Sequence, residues 1–189
     1  MSVLTLDKPI TATEQLVAQL YRTEGKAEII NGEIIKFMST GDAPSSAAFN
    51  IAVSLKSYQR ETKSGRAYTD NVGFIVNLPN RKSFSPDVSF YIGERTGMKF
   101  LQGAPVFAFE VRSENDYGTR AEENIKQKRR DYFAAGTKVV WDVDLLSDEV
   151  IKSYSFDNMD NPKVFRRGEI ASADSALPSW EIAVDELFD

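Results

Sequence analysis

Apolar and polar positions change period several times along the chain, and each period predicts an element. Thr11-Ala12-Thr13-Glu14 has the form of a capping box, opening a short helix with Leu16, Val17 and Leu20 on one face. Two short apolar runs, 27–30 and 33–38, flank Asn31-Gly32. That dipeptide signals a hairpin, because a type I′ turn needs positive φ at both central residues. From 45 to 62, Ala48, Ile51, Ala52, Leu55 and Tyr58 recur at helical spacing. Residues 68–76 read as one strand, ended by Pro79-Asn80. Residues 87–92 read as a strand with two unlike faces, Asp87, Ser89 and Tyr91 against Val88, Phe90 and Ile92.

The second half is more apolar. Val106-Phe107-Ala108-Phe109-Glu110-Val111 is a nearly continuous run, as expected of a strand covered on both sides. A helix over 120–135 follows, with Gly136 placed to close it. Val139-Val140-Trp141-Asp142-Val143 is another buried strand. Strand, helix, strand in that order predicts a right-handed parallel crossover. Two short strands, 150–154 and 163–166, and a terminal segment, 177–188, complete the chain. A hairpin first and a crossover later predict an α/β (α+β) fold, a mixed sheet flanked by helices. No linker-like stretch divides residues 1–189, so one domain is expected.

Composition narrows the chemistry. A hydrophobic fraction of 42% beside 27% charged residues is ordinary for a globular chain, so a substantial core is expected. No run of about 18 apolar residues occurs, so no membrane span is predicted. Residues 1–10 carry neither a basic n-region nor an apolar h-region, and export is not expected. Cysteine is absent, which removes disulfides and thiolate chemistry and fits a cytoplasmic location. Histidine is absent too. That excludes Ser-His-Asp hydrolysis, His-ligated zinc and the usual general base. Catalysis would have to run on carboxylates, Lys, Tyr, Ser or a bound metal, and oxygen ligands favour Mg²⁺ or Mn²⁺. A net charge of -5 weighs mildly against nucleic acid as a partner, since phosphate affinity comes mainly from Lys and Arg.

Three residues stand out against this background. Glu110 is a carboxylate inside the most apolar strand, where it must be paired, protonated or metal-bound. Its ordinary explanation is a rim ion pair with Arg112, two residues on. Lys128 falls on a stripe with Ala121, Ile125, Tyr132 and Ala135, so it aims at the sheet beneath its helix. Its ordinary explanation is snorkelling to solvent. Asp87 follows Pro86 at a strand start, where an Asp is commonly a turn or cap residue. Each alone is well explained structurally. Together they lie on successive core elements that a crossover would join, and two carboxylates with a lysine suit metal-assisted phosphodiester hydrolysis.

These residues also carry a family resemblance. Ser85-Pro86-Asp87-Val88, then Gly103-Ala104-Pro105 leading into Phe109-Glu110-Val111-x-Ser113, resemble the PD-(D/E)XK nuclease superfamily. Within it the chain is similar to the Uma-two family of restriction-endonuclease-like proteins. Glu28-Ile29-Ile30-Asn31-Gly32-Glu33 resembles that family's opening hairpin. Lys128-x-x-x-Tyr132-x-x-x-Gly136 with Val140-Trp141-x-Val143-Asp144 resembles its helix–strand signature, and Leu177-Pro178 through Leu187-Phe188 its closing segment.

The resemblance implies a restriction-endonuclease-like fold and DNA as substrate. Asp87 and Glu110 then become metal ligands, with the Val111 carbonyl and Glu33 as further contributors, and Lys128 the catalytic lysine on the helix. Arg112 stands where the superfamily's usual lysine would, but guanidinium stays protonated, which leaves it a phosphate-contacting role. The family's histidine near the start of the second helix has no counterpart here, Ala48 standing near its place. Homodimers are common in the superfamily, because a duplex has two strands to cut. Three readings follow: a Mg²⁺- or Mn²⁺-dependent DNA endonuclease, a catalytically silent nucleic-acid- or protein-binding relative, and a hydrolase of another phosphate ester.

Overall fold

Asn31 and Gly32 adopt φ of 51° and 80°, so the first hairpin turns where the sequence places it. This is a computed structural model, and it describes residues 11–189. The export reading of residues 1–10 lies outside them. Helix α1 (Ala12–Leu20) starts at the expected capping box, with Thr11 and Glu14 satisfying each other's backbone N–H groups. Strands β1 (Ala27–Ile30) and β2 (Glu33–Lys36) form the hairpin. Helix α2 (Asp42–Thr62) begins three residues ahead of the expected 45, because Pro44 sits in its first turn, where a missing N–H is harmless.

The strand expected over 68–76 is in fact two, β3 (Arg66–Thr69) and β4 (Phe74–Ile75), in different sheets. Asn71 turns between them at φ 66°, and Gly73 lies so close to the Phe100 ring that a Cβ would meet it at 2.4 Å. There follow β5 (Ser83–Phe84), β6 (Val88–Tyr91), β7 (Leu101–Gln102) and β8 (Phe107–Val111). Helix α3 (Thr119–Ala134) leads to β9 (Val139–Val143), β10 (Ile151–Ser155) and β11 (Lys163–Phe165). Strands β12 (Ile170–Ser172), which was not expected, and β13 (Glu181–Ala183) pair beside a closing 3₁₀ turn.

The main sheet has the order β11-β10-β9-β8-β6-β3. Only β8 and β9 in it run parallel, joined by α3, as the strand–helix–strand pattern requires. Gly136, at φ 101°, closes α3 in a Schellman arrangement: its N–H reaches Phe133 O at 3.0 Å and that of Thr137 reaches Tyr132 O at 3.0 Å.

Alternation along β8 and β9 divides the core. Phe107, Phe109, Val111, Trp141 and Val143 pack with α2 and the C-terminal segment around Trp180. Ala108 and Val140 face the other way, toward Tyr132, Phe133, Phe74 and Phe84. Both faces of β6 are therefore buried, rather than one polar and one apolar as the alternation suggested. Ser89 and Tyr91 lie under the second layer, where the Tyr91 hydroxyl donates a hydrogen bond to Gln102 O at 2.7 Å. Before β7, Met98 is fully exposed and Phe100 stacks on Tyr21, while Leu101 within the strand is buried.

Candidate active site

The register of β6 on β8 pairs Val88 with Phe109, and one step further puts Asp87 across from Glu110. Both sit on the sheet face that α3 covers. Asp87 is fixed by the strand end: its N–H donates to Phe109 O at 3.2 Å, and its Oδ2 accepts the Val111 N–H at 2.8 Å. The stripe read from the sequence is the packed one on α3, with Tyr132 fully buried. From one turn earlier Lys128 reaches Glu110 Oε1 at 2.8 Å, and Tyr132 donates its hydroxyl to the same oxygen at 2.6 Å. Asp87, Glu110 and Lys128 thus meet in one place.

The hairpin supplies two members that sequence reasoning missed. Glu28 on β1 is wholly buried; it pairs with Arg81, accepts the Ser85 N–H at 2.9 Å and lies 3.1 Å from the Lys128 ammonium. Lys26, just before β1, pairs with Asp87 and lies 2.7 Å from Asp70. Arg81 continues the network to Asp131 at 2.8 Å. Glu28 carried the same signal as Glu110, a carboxylate in an apolar strand, but the alternation of a four-residue hairpin strand hid it. Lys26 carried none, since a lysine before a strand is ordinary surface.

Glu33 and Arg112 are placed elsewhere, while Val111 lies at the site. Glu33 is exposed next to the hairpin turn and, among the described residues, makes no ion pair with the cluster. Val111 contributes its N–H, bonded to Asp87. Arg112 does not pair with Glu110: its guanidinium forks onto Asp142, with two contacts of 2.8 Å, and onto Glu122. Asp142, the β9 residue in register with Glu110, takes the guanidinium instead. Arg129, which follows Lys128 on α3, is also buried, its guanidinium 3.6 Å from the centre of the Tyr154 ring.

Electrostatics separates the members. Burial raises the Glu110 pKa; Lys128 lowers it, Asp87 raises it again, and the net result is upward. Burial would raise Glu28 as well, but Lys128, Arg81 and the Ser85 N–H outweigh it and hold Glu28 below the usual range. Burial opposes the charge on Lys128, yet Glu110 and Glu28 prevail and its pKa is raised. Lys26 follows the same logic: burial lowers it, while Asp87, Glu110 and the bond to Asp70 raise it further. Both lysines are therefore ammonium ions at neutral pH, suited to holding charge and not to taking a proton.

A divalent cation fits these donors in one respect and must displace something in another. Among the described residues, no three acidic side chains stand together as a ready-made cage. A hydrated Mg²⁺ needs only one or two carboxylates, since it keeps several waters. Asp87 and Glu110 retain 14% and 23% of their side-chain surface, so solvent ions can reach them, while Glu28 at 0% is sealed.

Sheet order and helix crossover define an α/β protein with a mixed six-stranded sheet and a carboxylate–lysine cluster beside α3. The chain belongs to the Uma2 family, described as "Putative restriction endonuclease", whose profile matches residues 13–185. A crystal structure titled as a putative nuclease of DUF820 from Anabaena variabilis has the same fold, with a TM-score of 0.72 at 22% identity. The match covers 95% of this chain and 98% of that one. No functionally curated protein matched the chain.

Proposed function

We propose that this chain is a divalent-metal-dependent DNA endonuclease, and one observation carries the reading. Asp87, Glu110 and Lys128 come from successive elements and lie together, Lys128 pairing with Glu110 while Asp87, across from Glu110 in the strand register, binds the neighbouring Val111 N–H. Asp87 and Glu110 would hold Mg²⁺ or Mn²⁺, which when bound polarises a phosphate and acidifies a water. The chain's own groups do the positioning. Val111 N–H fixes one oxygen of Asp87, and Tyr132 with Lys128 fixes one oxygen of Glu110. Lys128, kept protonated by Glu28 and Glu110, orients the attacking water and donates to the phosphate oxygen on which charge builds. Glu28 and Arg81 act through Lys128 and do not touch substrate.

A supercoiled-plasmid nicking assay with Mg²⁺ or Mn²⁺ tests this. Cleavage is expected from the wild type and not from Asp87→Ala or Glu110→Ala. Persistent nicking by either variant would sink the assignment. Because a duplex has two strands, two chains would act as a C₂ pair; the absence of cysteine fits action in the cytoplasm.

A second reading, a nucleic-acid-binding relative without turnover, has its own support. The net charge is -5, and each carboxylate already has an ammonium partner. It predicts DNA binding with no cleavage under any divalent metal.

A further inference from the structure

We infer that Lys26 is a built-in stand-in for the metal, and that Asp70 is the carboxylate that receives it when a metal binds. The inference rests on the metal-dependent reading above. Lys26 pairs with the Oδ1 atom of Asp87, the oxygen left free once Val111 N–H has taken Oδ2. It is also near enough to Glu110 to act on that carboxylate's charge. The ammonium therefore holds the one Asp87 oxygen left for a cation that this carboxylate would share with Glu110.

Lys128 does not compete for this place. It is held between Glu28 and the Glu110 oxygen that Tyr132 also fixes, and makes no ion pair with Asp87. Lys26 has another partner within reach: Asp70 Oδ1 is 2.7 Å away. Asp70 follows β3, outside the Asp87–Glu110 pair, and its side chain is 47% exposed. A lysine stem is flexible enough to give up Asp87 while keeping Asp70. An arriving cation thus replaces one positive charge with another, and Asp87 and Glu110 are not left facing each other uncompensated in the metal-free chain. Lys26 is a positioning residue by this account, exchanged out of the site before chemistry.

Calorimetric titration of Mn²⁺ into the full chain, without DNA, reads the exchange directly. Lys26→Met should bind Mn²⁺ on the order of tenfold more tightly than wild type, the size expected for removing a close competing charge. Asp70→Asn should bind more weakly, because the displaced ammonium has lost its second partner. Asp70 is half exposed, so that variant keeps the test available if Lys26→Met folds poorly. Unchanged or weaker Mn²⁺ binding by Lys26→Met, with wild-type binding that Asp87→Ala abolishes, overturns the exchange and leaves the metal reading standing. Absence of Mn²⁺ binding in wild type and Lys26→Met alike overturns both.

Discussion

The Lys128 ammonium lies 2.8 Å from Glu110 Oε1, although one residue stands in mid-helix and the other near a strand end. Glu28, at 3.1 Å, holds the same ammonium from the hairpin. A lysine pinned between two carboxylates keeps its proton and its direction. Lys128→Met should therefore lower turnover by about 10²–10³-fold, the loss typical of removing one donor to developing charge. Lys128→Arg keeps the charge but not the point geometry, and should recover only part of that rate. Single-turnover cleavage separates chemistry from binding; a Met variant at wild-type rate would remove Lys128 from the mechanism.

Glu28 holds this arrangement together from a position solvent does not reach. Its removal leaves Arg81 with Asp131 alone and Lys128 with Glu110 alone, both under cover. Glu28→Ala should destabilise the fold by about 3–5 kcal/mol, as expected when one member of a buried ion pair is deleted. Urea denaturation measures it. A loss below about 1 kcal/mol, the size of an exposed pair, would mean that Glu28 is not sealed.

Glu110 and Glu28 should respond to pH with opposite signs. Burial and Asp87 raise the Glu110 pKa against the pull of Lys128 and Lys26. Folding therefore favours its protonated form, and its stabilising contribution is complete below the ordinary glutamate range. That contribution is lost as pH rises through the raised value. Glu28 is lowered despite burial, by Lys128, Arg81 and Ser85 N–H. Its contribution is present above the ordinary range and lost as pH falls through the lowered value. Denaturation of wild type, Glu110→Gln and Glu28→Gln between about pH 4 and 7 tests both. The stability of wild type relative to Glu110→Gln should fall as pH rises, and that relative to Glu28→Gln should climb. Slopes of the same sign would contradict the assignment.

What could be read from the sequence follows from how local each signal is. The Asn31-Gly32 turn, the capping box and the Gly136 closure depend on a few neighbouring residues, and all three occur as expected. The Lys128–Tyr132 stripe depends only on helical period, so the face of α3 was legible before its partner. Arg129 was not, because its burial rests on the ring of Tyr154, which arrives from β10. The split between β3 and β4 was hidden for a similar reason: Gly73 is forced by Phe100, 27 residues later. Glu28 and Lys26 join the site only through the packing of the hairpin against β5 and β6, which no period encodes.

Arg112 gives the sharpest contrast between position and role. Its spacing from Glu110 invites a part in phosphate binding, yet its fork is spent on Asp142, which is buried, and on Glu122 at the start of α3. The pairing ties the end of β8 to β9 and to the helix that carries Lys128. Arg112→Ala should therefore lower stability by about 3–5 kcal/mol, because Asp142 would be left under cover without its cation. Once corrected for the folded fraction, KM for DNA should stay near the wild-type value. Arg112→Lys should recover little of the stability, since an ammonium cannot bridge Asp142 bidentately. A raised KM with unchanged denaturation would return Arg112 to the substrate, with its ion pairs released when DNA binds.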